Sequence, residues 1–92
     1  MGFYIEGPVT GKADWLLENH DAIELKGPKE AEKAFNEGYG IICVIDNGAF
    51  DAAGFMFSLL ELKAFSDPFD PRFRRWLAMD RKTAEELCGF KQ

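Results

Sequence analysis

The chain has one histidine, two cysteines and no apolar run longer than the five residues 41–45. Each scarcity excludes something. A helix that spans a bilayer needs roughly 20 consecutive apolar residues, so no membrane span is expected. A serine or cysteine nucleophile paired with histidine would have to use His20, which falls at the end of an expected helix beside Asp21, where the sequence predicts a solvated side chain. One histidine with cysteines at 43 and 88 matches no zinc spacing. Cys43 is flanked by Ile41, Ile42, Val44 and Ile45, the opposite of the electropositive setting that activates a thiol. The nine glycines fit neither a dinucleotide-binding nor a Walker pattern. Residues 1–8 have neither a basic nor an apolar stretch of the kind a secretory signal uses. With two thiols that no disulfide framework calls for, this predicts a reducing, cytoplasmic setting.

What is present is a core. Ninety-two residues make one domain, 1–92, and 13 aromatics in a chain that is 47% apolar are too many for a disordered segment. The net charge of −5 opposes general binding of nucleic acid, which depends on neutralising phosphates. That charge is uneven. Residues 1–59 carry 10 acids and 4 bases, whereas residues 60–92 carry 6 acids and 7 bases.

Along the chain, residues 3–5 read as a short strand ended by Gly7-Pro8. Thr10 is the expected cap of a helix over 11–19. Residues 22–25 read as a weak strand or an extended link. Pro28 suits the first turn of a helix reaching Asn36 and ended by Gly38. Residues 40–45 are apolar and β-branched on both faces, which predicts a central strand. Asp46, Asn47 and Gly48 form a turn signal, and residues 50–57 read as the returning strand. Ser58 with Glu61 gives a capping box for a helix from Leu59 to about Phe65. The prolines at 68 and 71 place a loop over 66–71. A strand at 73–79 and a helix at 81–88 capped by Asp80 complete the chain. The expected fold is α+β, a single domain with a layer of helices on a small, mostly antiparallel sheet whose central hairpin is 40–45/50–57.

Two segments carry pointed chemistry. Asp46, Asn47 and Asp51 are oxygen ligands close together, but they lack the calcium-loop grid, and the plainer expectation is that Asp46 and Asn47 bond their own turn backbone. Arg72, Arg74 and Arg75 interleave with Phe73 and Trp76 after a proline-stiffened loop that presents Phe69. Arginine and aromatic residues dominate interface energetics, so Phe69, Arg72, Arg74 and Arg75 are candidate partner-binding residues. The plainer account has Arg72 and Arg74 answer Asp67, Asp70 and other acids, with Phe73 and Trp76 packed inward.

The segment from Cys43 to Ala53, with Glu61, Ala64-Phe65, Asp67-Pro68, Asp70-Pro71-Arg72 and Trp76, resembles a family of small proteins of bacteriophages, prophages and plasmids. The opening residues 2–5 and the spacing from Lys12 to Leu16 fit as well. The family carries no assigned activity, so the resemblance implies an origin in a mobile element and no particular chemistry. The function expected from this is non-enzymatic: an accessory protein in the host cytoplasm that binds a host or phage protein. One form of it is an acidic inhibitor that occupies a basic, nucleic-acid-binding surface, by analogy with anti-CRISPR proteins and polymerase inhibitors. No cofactor, metal, membrane or direct nucleic-acid contact is expected. The alternatives are a small ligand binder or enzyme using the Asp46–Asp51 turn, and a self-assembling accessory protein such as a homodimer.

Overall fold

The apolar run at 41–45 becomes an inner strand because both of its faces find helices. The computed structural model describes residues 5, 7–46, 48–66 and 74–88. Their order is α1 (Lys12–Asn19), β1 (Ile23–Leu25), α2 (Pro28–Asn36), β2 (Gly40–Asp46), β3 (Asp51–Phe55), α3 (Leu59–Ser66), β4 (Arg74–Met79) and α4 (Arg81–Leu87). The four strands make one sheet in the order β1-β4-β2-β3, antiparallel at every pairing. The α+β class and the central hairpin are as the sequence predicts. β2 pairs with β3 from Ile42–Phe55 to Asp46–Asp51, and with β4 from Gly40–Met79 to Ile45–Arg74.

The helices form two layers rather than one. Ile42, Val44, Ala53, Phe55, Leu77 and Met79 pack with Ala13 and Leu16 of α1 and Ala84 of α4. Ile41, Cys43, Trp76 and Ala78 pack on the opposite face with Ala31 and Ala34 of α2 and Leu62 of α3. Strand side chains alternate between faces, so a strand apolar at every position needs cover on both. Continuous apolarity in β2 was the sign of this in the sequence.

Helix starts follow local chemistry, with one exception. Asp80 Oδ2 accepts from both the N–H and the hydroxyl of Thr83, each at 3.0 Å. Ser58 Oγ accepts the Glu61 N–H at 3.1 Å, and the Glu61 carboxylate reaches back to the Phe57 N–H rather than to Ser58. Pro28 opens α2. The exception is α1. Thr10 does not cap it; the cap position is Gly11, left-handed at φ 76°, which has no side chain to offer. A carboxylate from the hairpin substitutes: Asp51 Oδ2 accepts the Lys12 N–H at 2.7 Å.

Two further boundaries differ. β3 covers Asp51–Phe55 rather than 50–57, which leaves Phe50 in the connection. Of the strand expected at 3–5, residues 3 and 4 lie outside the described residues. Ile5 is not in a strand, yet its N–H donates to the Ala53 carbonyl beside β3 at 3.2 Å.

Cys43 and Cys88 are free and buried. Burial pushes the Cys43 thiol up to about 11, against the opposing charge of Arg74. Burial likewise pushes Cys88 up to about 11, against a hydrogen bond with the Phe55 backbone. The native state therefore holds these protons more tightly than the unfolded chain, whose thiols titrate near 9.0. The associated stability is whole below that pH and is lost as pH rises through about 11. A Cys43→Ala variant should lose less stability than the parent between those pH values, measured by urea unfolding. Cys43 in the native chain should also resist a thiol reagent until the chain unfolds; rapid native labelling would show that the core around β2 opens.

Candidate functional site

Three features that are distant in the sequence meet at one end of the sheet. The hairpin connection joins Asp46 to Asp51, which face each other across the ladder. β4 begins at Arg74, opposite Ile45 and one step from Asp46. α1 begins at Lys12, fastened to Asp51. A further bond adds residue 9, since the Asp51 N–H donates to the Val9 carbonyl at 2.7 Å.

The turn residues behave as their types suggest. Asp46 is exposed, and its Oδ1 accepts the Gly48 N–H at 2.8 Å. Gly48 has φ 89°, in the left-handed region that penalises a β-branched side chain. Nothing lies within 4 Å of a Cβ added there, so backbone strain alone sets the cost. Gly48→Val should destabilise the chain by about 1 kcal/mol or more; an unchanged melting midpoint would contradict a left-handed residue at this turn. Asn47 lies outside the described residues.

The candidate arginines separate. Phe69 and Arg72 lie outside the described residues. Arg74 shares the face of Trp76 and is half-buried. Arg75 points to the α1 face, where its Nη2 and Nε meet both oxygens of Glu24 at 2.7 Å and its Nη1 meets Asp14 at 3.2 Å. The bidentate bond from Arg75 holds the Glu24 carboxyl below its usual range, against partial burial. Glu24 in turn pushes the guanidinium further up. The three side chains are 35%, 42% and 66% exposed, so solvent screens these pairs and each contributes only about 0–1 kcal/mol. Arg75 thus ties β4 to β1 and α1.

Beside the hairpin end lies an open cleft of about 380 Å³. Ile5, Lys12, Phe50, Asp51 and Ala53 are among the residues that line it. Asp51 is buried, and its second oxygen, Oδ1, is enclosed with no hydrogen-bond partner among the described residues. Lys12 is also buried as a residue, and its ammonium donates to the Pro8 carbonyl in a partly buried hydrogen bond. Two large apolar side chains stand at this end in solvent, Val9 at 68% exposure and Phe50 at 51%. Sequence reasoning assigned Phe50 to a strand and gave Lys12 and Val9 no role. The register of the hairpin decides all three, and no local pattern reports it.

Elsewhere, His20 is half-buried at the end of α1, its ring 4.8 Å from that of Trp15 in an edge-on arrangement. Among the described residues, no three His, Cys, Asp or Glu side chains gather as metal ligands, and no helix is long and apolar enough to cross a membrane. No protein-family model, curated protein or solved structure matches the chain. The chemistry of the site rests on its own geometry.

Proposed function

We propose that this domain is a non-enzymatic binding protein of a bacteriophage or other mobile element, working in the host cytoplasm by contact with another protein. The observation that carries this reading is the pairing of Val9 and Phe50. Both are large, apolar and solvent-exposed, and the Asp51–Val9 hydrogen bond ties the segment bearing Val9 to the residue that follows Phe50. An exposed aromatic on a fixed scaffold loses little conformational entropy on binding, which is what an interface anchor needs. The chain's charge of −5 favours a basic partner. A basic nucleic-acid-binding surface on a host complex meets that requirement, and occupying it would inhibit the complex. The resemblance of residues 41–79 to small phage and plasmid proteins supports the origin.

The test is a capture experiment from bacterial lysate with the parent chain and a Phe50→Ala variant. A basic protein held by the parent, weakened by about 1–2 kcal/mol in the variant and displaced by added DNA, is the expected result. Equal capture by a variant of unchanged melting midpoint would remove the hairpin end as the interface. Loss of fold in the variant would mark Phe50 as scaffold.

The second reading, a small-ligand binder at the Asp46–Asp51 turn, has one observation in its favour. Among the described residues, Asp51 Oδ1 is an enclosed acceptor without a donor beside a cleft, and such an oxygen is costly to leave unsatisfied. A ligand carrying an amine or guanidinium would supply the donor. Thermal shift with arginine, agmatine and spermidine tests it; no shift in the parent, or equal shifts in Asp51→Asn, would reject it.

A further inference from the structure

We propose that the outer edge of β1, with the groove between it and α2, receives an extended basic segment of a partner protein as an additional strand. This surface lies away from the hairpin end and stands on separate observations.

The sheet has two edges, and they are treated differently. Along β3 the chain supplies its own cover: the Ile5 N–H bonds the Ala53 carbonyl, and the Val9 carbonyl accepts the Asp51 N–H. β1 is the other terminal strand, bonded to β4 on one side and, among the described residues, to nothing on the other. Its outward N–H and C=O groups form a template for a further strand. β1 has three residues, short enough to limit self-association and long enough to register an incoming peptide.

The side chains beside this edge fit a partner of definite pattern. Ile23 and Leu25 face the α2 side, where they line a groove of about 260 Å³ with Tyr39 as its wall. Ile23 is 56% exposed and Tyr39 41%. Glu30 and Glu37 border the groove, with Lys33 as the basic residue among its lining groups, so its lining charge is net negative. On the α1 side, Glu24 and Asp14 share the single guanidinium of Arg75, which leaves one negative charge in excess. Successive side chains of an added strand alternate between faces. Apolar residues on one face would enter the groove, and lysine or arginine on the other would answer Glu24 and Asp14. The recognised feature is therefore an alternating apolar–basic segment, bound through main-chain hydrogen bonds with side-chain pockets giving specificity. A second copy of this chain fits less well: pairing β1 with itself about Glu24 sets two glutamates together and joins two chains of charge −5.

The full chain is titrated with three short synthetic peptides: alternating valine and lysine, alternating valine and glutamate, and the valine–lysine peptide with a central proline. The valine–lysine peptide is expected to bind, to weaken as salt is raised, and to slow amide exchange within residues 23–25. The glutamate and proline peptides should bind at least tenfold more weakly. Ile23→Lys should lower affinity at least fivefold with no change in melting midpoint, since Ile23 is largely in solvent. The proposal is overturned if the valine–lysine peptide does not bind at millimolar concentration. It is equally overturned if that peptide binds without protecting residues 23–25, or if the proline peptide binds as well. Protection of residues 23–25 by the chain alone at high concentration, with a dimer in sedimentation, would assign the edge to a second copy and also overturn it.

Discussion

Ile41→Ala and Ile42→Ala should each lower folding stability by about 2–5 kcal/mol, and their near equality is the informative part. Both side chains are fully buried, but on opposite faces of β2: Ile41 packs with the α2–α3 layer and Ile42 with the α1–α4 layer. Truncating either removes apolar contact and leaves a cavity that a close-packed interior fills only in part. In a chain of this size a loss of 1 kcal/mol moves the melting midpoint by about 4–8 °C, so each variant should melt at least about 8 °C lower than the parent. Ile23→Ala serves as the control, because Ile23 is mostly in solvent and should change stability by about 0.5 kcal/mol or less. If one of the two core variants cost under about 1 kcal/mol, a helix layer would be missing from that face.

Gly40→Ala is expected to destabilise by about 1–3 kcal/mol, although alanine ordinarily improves on glycine in a strand. β2 and α4 approach so closely at this point that a Cβ on residue 40 would lie 2.8 Å from the Ala84 Cβ, 3.0 Å from the Arg81 Cα and 3.2 Å from the Phe55 ring. The Phe55 ring can turn, but the Arg81 contact is backbone and the Ala84 methyl is fixed to its helix. α4 would have to shift outward, and it carries the buried Ala84 of that core, with the buried Cys88 directly after its end. Combining Gly40→Ala with Ala84→Gly removes the nearest collision. The double variant should be more stable than the sum of the single effects by at least about 0.5 kcal/mol in a mutant cycle. Strict additivity, or a neutral Gly40→Ala, would show that the two elements are not in close contact.

Much of the fold was legible in the sequence, because it depends on local chemistry. The turn signal Asp46-Asn47-Gly48, the Ser58–Glu61 pair, Pro28 and Asp80 each act on backbone within a few residues, and each marks an element boundary found in the structure. The start of α1 was misread for the complementary reason. The carboxylate that serves its first turn is that of Asp51, which is remote in the chain, and no local pattern points to it.

The candidate site was less legible. An arginine-rich strand looks the same in sequence whether its guanidinium groups face a partner or their own chain; Glu24 and Asp14 reach Arg75 only once β1 and α1 flank β4. By itself the sequence determined the class of fold, the hairpin, the buried β2 strand and the acidic charge, since composition, periodicity and turn chemistry are properties of neighbouring residues. Tertiary structure alone decided which helices cover each face, that Asp51 holds α1 from across the chain, that Val9 and Phe50 are both exposed, and that β1 is a terminal strand of the sheet. Each of those depends on which distant segments pair and in what register, a choice made by the burial of the whole core rather than by any one segment of it.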